Sequence, residues 1–528
     1  MIAALAGVSL AVVAPSAAPS SVLLPAPSGT VDYAAAAAAL VLAFLAGFTA
    51  PRPALYVLVS LAVLEGAIRK WVVNDITIFM LKDFLALGIY ARVLPALSRM
   101  EWRRPWWVVV PLATIVLLAI AHIARSESLS EGAIGLRSYV VYVPLLWAAP
   151  RLVNTPRRVY ALLGLVLGLG ILNAVLATVQ TLTGGTWLNR AAPGTLPAFV
   201  VVGDVAWLRP TGTMLQVGTL SAFMLFPILA AFGLVMGSKR VSALAVGLGA
   251  LFVLTWGVVY AGSRALLATT MLAAAILLAY LAWRRRFVTL LAVPAVVVAS
   301  YLVISYQPFL GGAVRDGNDS HFLRNQEYVY ALPDGTIERV EISINRGDPR
   351  STGGFVSRAA GNPQPGDQNA DLPANRLRAQ LDLLVDETGL LGHGTGRMTL
   401  GSQYLLPTRS VASESQFVKV AYELGVLGLL SLVVLLFALW AAAAWASFVS
   451  PEWRRPPAAV ALGIATLVPA LTALTFAFDY PVVSILYYTL GGCALAWAIE
   501  GRRGRQPIPT APPALPGAAS AAPSRAPA

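Results

Sequence analysis

Apolar residues in this chain do not come in the short alternations of a soluble strand or helix. They run on in blocks of roughly 18 or more residues, the length a helix needs to cross a hydrocarbon core. The pattern predicts helical spans at about 33–50, 52–68, 76–95, 105–123, 132–149, 158–182, 213–236, 241–261, 264–282, 287–305, 416–447, 457–477 and 481–499. The expected fold is therefore all-α: a polytopic membrane helix bundle of about 12–14 spans. Five regions follow: an apolar and flexible N-terminal segment (1–32), a first part of the bundle (33–305), a large loop (306–415), the last spans (416–500) and a disordered tail (501–528). The tail is rich in Pro and Ala and has no packing pattern. Residues 1–14 form a short apolar run without a basic flank. This argues against a cleaved signal peptide and leaves a further marginal span as the alternative.

The large loop reads differently. Over 306–415 it holds ten Lys/Arg and thirteen Asp/Glu, so it is close to neutral. Glu327-Tyr-Val-Tyr-Ala and Thr336-Ile-Glu-Arg-Val-Glu-Ile flank Pro333-Asp-Gly and predict a β-hairpin. From Pro373 to Glu387, Leu377, Leu381, Leu384 and Val385 fall at helical spacing and predict an amphipathic helix on the membrane surface or against the bundle. Gly392-His-Gly-Thr-Gly-Arg397 then reads as a glycine-rich turn.

Composition supports the membrane reading. The chain is 57% hydrophobic and only 12% charged, with a mean hydropathy of +0.71; soluble domains carry about twice that charge fraction. A net charge of +13 would suit nucleic acid in a soluble protein. Here much of the excess sits in short loops: Arg99/Arg103/Arg104, Arg151/Arg157/Arg158, Lys239/Arg240, Arg284–Arg286, Arg454/Arg455 and Arg502/Arg503/Arg505. With the spans above, all six clusters fall on one side. The positive-inside rule makes that side the cytoplasm, places the large loop outside and excludes nucleic acid as the partner. The expected location is the inner (cytoplasmic) membrane, with membrane lipid as a partner. A single cysteine, Cys493, and three scattered histidines make a disulfide or a zinc cluster improbable, and no metal is expected.

Charge near hydrocarbon is costly and usually functional. Arg264 (in Gly262-Ser-Arg-Ala), Arg209 (in Arg209-Pro-Thr-Gly-Thr), Arg69 with Lys70, and Arg137 (in Gly135-Leu-Arg-Ser-Tyr) all lie at the outer interface of this topology. Converging arginines would bind phosphate bidentately; the alternative is that each snorkels to the headgroups. Glu414 precedes the span near 416, where a partly desolvated carboxylate can be a general base or merely a helix N-terminal carboxylate. Ser413-Glu-Ser-Gln is equally a capping sequence. His393, between glycines, is a second base candidate or a hydrogen-bonding loop residue. Lys82 and Asp83 lie inside a span and suit helix packing better than catalysis. Gly392-x-Gly-x-Gly396 does not follow a strand of a βαβ unit, so it does not indicate a dinucleotide.

Taken in order, Glu65-Gly-Ala-Ile-Arg-Lys-Trp, Lys82-Asp83, Gly135-Leu-Arg-Ser-Tyr, Arg209-Pro-Thr-Gly-Thr, Gly262-Ser-Arg-Ala, Leu391-Gly-His-Gly-Thr-Gly and Glu414-Ser-Gln-Phe through Tyr422-Glu-Leu-Gly-Val-Leu-Gly-Leu resemble a known pattern. It is similar to that of the O-antigen ligase and Wzy-type polysaccharide polymerase group of bacterial membrane glycosyltransferases, over about residues 33–500. The resemblance implies a polyprenyl-pyrophosphate-linked glycan donor used at the outer face, a saccharide acceptor, no cofactor, and export-complex proteins as further partners. It gives the donor pyrophosphate to Arg264 and Arg209, with Arg69, Arg137 and Arg397 as further contributors, and the catalytic base to Glu414 or His393. The ligases commonly carry a histidine before the late span; this chain has Ala412-Ser-Glu-Ser-Gln there, which favours a polymerase-like member. A transporter or flippase of lipid-linked glycans is the rival reading.

Sidedness underlies every one of these assignments. Reporter fusions after Gly317 and after Arg285 are expected to score extracytoplasmic and cytoplasmic respectively; a periplasm-only reporter active after Arg285 would invert the topology.

Overall fold

The computed structural model describes residues 32–73, 75–97, 106–126, 128–182, 199–202, 205–237, 241–260, 327–331, 337–341, 390–399, 415–472 and 477–502, with scattered helical positions between 266 and 298. Its helices are α1 (Tyr33–Thr49), α2 (Pro51–Trp71), α3 (Ile76–Val93), α4 (Trp106–Ile123), α5 (Leu129–Val140), α6 (Leu145–Leu152), α7 (Pro156–Leu182), α8 (Val217–Gly237), α9 (Val241–Tyr260), α10 (Gln416–Val449), α11 (Arg455–Thr472) and α12 (Pro481–Arg502). Ten of the thirteen expected spans each coincide with one of these helices, and an eleventh, 132–149, is divided between α5 and α6. The expected spans 264–282 and 287–305, the helix at 373–387 and both chain ends lie largely or wholly outside the described residues.

The fold is an all-α polytopic bundle. Among the described residues six helices, α2, α4, α7, α8, α10 and α12, are long and apolar enough to cross a membrane, or seven if the bent pair α5/α6 is one span. Helix α1, the Leu244–Val258 part of α9, and α11 are apolar but shorter. Helix α3 has the length but carries Lys82, Asp83 and Arg92. Two hairpins stand apart from the helices. Strands β3 (Glu327–Ala331) and β4 (Ile337–Glu341) pair antiparallel with Ala331 opposite Ile337, as the Pro-Asp-Gly turn predicts. Strands β1 (Phe199–Val202) and β2 (Val205–Leu208) form a second hairpin that the span reading passes over.

Helix starts follow ordinary capping chemistry. The Asp75 carboxylate accepts from Thr77 N at 2.7 Å to open α3, and Ser128 Oγ accepts from Glu131 N at 3.2 Å to open α5. Pro51 opens α2, where a missing N–H costs nothing. Ser415 stands at the N-cap of α10 and its hydroxyl makes no cap bond; Ser413 and Glu414 of the expected capping sequence lie outside the described residues.

Two expectations need correction. The span expected at 132–149 is not one helix: α5 and α6 meet at an angle of 42° across Val141–Pro144. Pro144 cannot continue the ladder, and the Val141 carbonyl in the break accepts instead from Tyr90 OH at 2.9 Å. The span expected from 213 begins at Val217, because residues 209–216 form an irregular segment pinned by the Gln180 side chain of α7 and by the Lys70 side chain and Val63 carbonyl of α2.

Helices α8 and α12 are buried along most of their length and form the middle of the bundle, whereas α4 and α10 leave apolar faces exposed. At one end of the bundle, Arg454 pairs with Glu500 at 2.6 Å and lies over the rings of Trp453 and Trp497. Tyr160 OH donates to Trp453 O at 3.3 Å, and Tyr56 OH to Arg158 O at 3.0 Å. The basic 151–158 and 454–455 loops and the end of α12 therefore share one end with the start of α2.

Helices α1 and α3 pack backbone to backbone. A Cβ on Gly47 would sit 2.3 Å from Leu85 O, and one on Gly88 would sit 2.1 Å from Phe44 O. This is how helices associate in lipid, where small residues permit close approach. Gly88→Val is expected to separate them and lower stability by about 1–3 kcal/mol, the usual cost of overpacking. Thermal unfolding in detergent measures it; an unchanged melting temperature would mean the seam is not closed in solution.

Candidate functional site

The other end of the bundle gathers the buried polar residues, in three connected groups. The first joins α2, α3 and α5. Adjacent residues on a helix point about 100° apart, so Lys82 and Asp83 face different neighbours and do not pair with each other. Lys82 Nζ lies 2.6 Å from Glu65 Oε2 on α2 and donates to Phe79 O at 2.5 Å. Asp83 faces α5: Arg137 Nε donates to Oδ2 at 2.5 Å and Nη2 to Oδ1 at 3.0 Å. Tyr142 OH also donates to Asp83. Arg69 Nη1 approaches Glu65 Oε1 at 3.5 Å. The Phe79 ring sits among the cations, with Lys82 Nζ 3.9 Å, Arg137 Cζ 4.1 Å and Arg69 Cζ 5.8 Å from its centre.

The second group lies on the other side of the end of α2. Lys70 is completely buried, and its Nζ donates to Thr211 Oγ1. No ion pair among the described residues includes it. Thr211 belongs to Arg209-Pro-Thr-Gly-Thr, which is fixed by amide side chains of α7. Gln180 Oε1 accepts from Thr211 N at 3.1 Å and from Gly212 N at 2.9 Å. Asn173 Oδ1 accepts from Thr213 N at 2.9 Å, and Thr213 Oγ1 reaches Val63 O at 2.8 Å. Arg209 is half-buried at the start of this segment. A buried ammonium held by a hydroxyl, with no carboxylate among the described residues, is costly.

No protein-family model and no curated protein matches this chain.

The third group surrounds a break in α10. Gly425 adopts φ 74°, a left-handed conformation that suits glycine, and interrupts the helix there. The glycine-rich turn docks against this break. His393 N donates to Tyr422 O at 2.9 Å and Gly394 N to Glu423 O at 3.3 Å. His122 Nδ1 lies 2.9 Å from Glu423 O; a carbonyl only accepts, so Nδ1 bears the proton. The Glu423 carboxylate is fully buried, taking Tyr139 OH on Oε2 at 2.8 Å, and Met398 N at 2.8 Å and Thr399 Oγ1 at 3.3 Å on Oε1. One turn earlier Lys419 pairs with Asp479, donates to Ser138 Oγ at 3.3 Å and lies over the Tyr139 ring.

The residues singled out in the sequence are thus distributed as follows. Arg69 and Arg137 come together around Phe79, and Arg209 is tied through its segment to Lys70, the neighbour of Arg69. Asp83 occupies one edge of the Arg137 guanidinium. Arg397 is half-buried on the docked turn. His393 is half-buried and stacks on Tyr422 at 4.5 Å, with Nδ1 3.3 Å from Tyr422 O. That contact puts the proton of the neutral ring on Nδ1 and leaves the lone pair on Nε2. Arg264 and Glu414 lie outside the described residues. Glu423, Lys419, Tyr139, Asp479 and His122 were not singled out as site residues. The signal was present, since Lys419 and Glu423 are ionisable residues inside an apolar run. Among the described residues no three His, Cys, Asp or Glu side chains converge to hold a metal ion.

Removing Arg137 alone would leave Asp83 buried without its cation. Arg137→Ala is expected to cost about 3–5 kcal/mol, the usual cost of breaking a buried pair, and Arg137→Ala with Asp83→Ala to recover part of it. Thermal unfolding of the three proteins measures the coupling; additive losses would mean that the pair does not form.

Proposed function

We propose that this protein is a membrane glycosyltransferase that polymerises or ligates a polyprenyl-pyrophosphate-linked glycan at the outer face of the cytoplasmic membrane, in cell-surface or exopolysaccharide synthesis. The observation that carries this reading is Lys70: buried, hydrogen-bonded to Thr211, and without a carboxylate among the described residues. Its partner segment begins with Arg209, a cation nominated for the pyrophosphate, while Arg69, also nominated and its neighbour in sequence, turns to Glu65. Arg264, Arg137 and Arg397 are the further donor-binding candidates. In the reaction a hydroxyl of the saccharide acceptor attacks the anomeric carbon. The bond to the pyrophosphate oxygen breaks, and the polyprenyl pyrophosphate departs with that electron pair. The hydroxyl proton passes to Glu414 or to Nε2 of His393. Fixed cations stabilise the charge that develops on the leaving group, so nothing here calls for a nucleotide or a cofactor. Membrane lipid surrounds the bundle, and export-complex proteins are the natural recipients of a growing chain.

The rival reading, transport or flipping of the same lipid-linked glycan, is favoured by two interrupted helices, α5/α6 and α10 at Gly425, since transporters place binding sites at such breaks.

Purified protein given a synthetic polyprenyl-pyrophosphate repeat unit decides between them. Chain growth without ATP or an ion gradient is expected; translocation in vesicles without growth would establish the rival. Lys70→Met, Arg209→Ala and Arg264→Ala are each expected to lower transfer by about 100-fold or more, the range for removing one transition-state charge contact. Arg209→Lys should restore only part, lacking the bidentate fork. Glu414→Gln is expected to lower turnover by about 100-fold with donor binding retained; a near-normal rate there, with loss in His393→Ala, moves the base to the histidine.

A further inference from the structure

The Gly392–Thr399 turn has almost no apolar interior of its own. Gly392, Gly394 and Gly396 all have positive φ, so an undocked turn has much conformational freedom to lose on ordering. What orders it is a fitted seat on three helices. A Cβ on Gly396 would meet Glu131 O at 2.3 Å, one on Gly135 would meet Gly396 N at 2.3 Å, and one on Gly425 would meet Leu390 O at 2.3 Å. Ser126 Oγ, just past α4, donates to Thr395 O at 2.6 Å. Within this seat the Glu423 carboxylate bonds both the turn, through Met398 N and Thr399 Oγ1, and α5, through Tyr139 OH. Its position near the end of the first segment of α10 is unfavourable for a negative charge. Three donors on one buried carboxylate offset that and make the contact worth more than an ordinary loop hydrogen bond.

We propose that Glu423 is a positioning residue: a buried clamp that fixes the C-terminal part of the 306–415 segment to α5 and α10, and so determines where His393 and Arg397 stand. Without the carboxylate, Met398 N–H and Tyr139 OH are left buried with no acceptor, and the turn loses the contact that ties it to α5. The clamp itself does not depend on the function proposed above; only its effect on transfer rests on that reading.

The test uses the full chain in detergent with Ser126→Cys and Thr395→Cys introduced, since Ser126 Oγ and Thr395 Oγ1 lie 3.4 Å apart and the native Cys493 is buried elsewhere, in α12. The rate of disulfide formation under a mild oxidant reads docking of the turn. It is expected to fall by about tenfold or more in Glu423→Ala, the factor for losing one or two buried hydrogen bonds. Glu423→Gln keeps Oε1 as an acceptor for Met398 N and should restore most of the rate. Should Glu423→Ala fail to accumulate as a monodisperse species, Tyr139→Phe with Thr399→Val removes two of the three donors, leaves every charge in place, and should slow the disulfide likewise. A disulfide rate equal to that of the parent in whichever of these variants folds overturns the clamp. In the transfer assay, Glu423→Ala is expected to lower kcat/KM for the lipid donor, because the turn carries both a base candidate, His393, and a donor-binding candidate, Arg397, and Glu423→Gln is expected to recover most of it in step with the disulfide rate. If the parent protein shows no transfer at all, the proposed function falls, while the disulfide rates still decide the clamp.

Discussion

A charge inside a helix bundle in lipid must find its counter-charge within the protein, because the surrounding hydrocarbon supplies none. Most of this architecture's polar end follows from that constraint. The pairs Lys82–Glu65, Arg137–Asp83 and Lys419–Asp479 each join separate elements. Helix α5 is where they meet. Its consecutive residues Arg137, Ser138 and Tyr139 point round the helix to Asp83, Lys419 and Glu423 in turn. A helix committed on so many sides has little room to run straight. It stops at Val140, and the chain bends before α6.

Against that background Lys70 differs from its neighbours. Lys82 and Lys419, equally buried, each have a carboxylate, whereas Lys70 has a threonine hydroxyl. The same helix turn carries Arg69 toward the paired network and Lys70 away from it. The end of α2 thus separates a charge-compensated interior from a lysine that, among the described residues, has no carboxylate. The opposite end of the bundle shows the contrast: Arg454 there is matched by Glu500 and flanked by two tryptophans, an arrangement suited to holding helices in place.

How much of this was legible follows from the physics of each signal. Long apolar runs have few alternatives to a spanning helix, so α1–α4, α7–α9 and α10–α12 stand close to their expected limits. The β3/β4 hairpin was readable from Pro333-Asp-Gly because that turn constrains the register on both sides. The β1/β2 hairpin had a comparable marker, Gly203-Asp204 between Phe-Val-Val-Val and Val-Ala-Trp-Leu. Hydropathy alone does not register it, because four-residue strands are far shorter than a span. The bend at Val141–Pro144 was hidden inside an apolar stretch, since hydropathy does not register a missing N–H. The pairing was not legible in any form: Lys82 and Asp83 are neighbours in sequence, and only the rotation of the helix shows that they serve different partners. Glu423 was readable as a lone carboxylate among apolar residues, but its donors Tyr139, Met398 and Thr399 come from elements that only the folded chain brings to it.

The separation of Asp83 from Arg137 by 54 residues has a consequence for how the protein is made. Helices enter a membrane in the order in which they are synthesised, at about 5–20 residues per second. Glu65 has already been made when Lys82 appears, so that pair can close as soon as α3 enters. Asp83 has no such provision: the arginine that neutralises it emerges some seconds later. Placing an aspartate at the centre of a span costs about 2.5–3.5 kcal/mol on insertion scales, and for that interval α3 is held by its neighbours alone. The glycine seam with α1 and the Glu65 contact with α2 supply the holding.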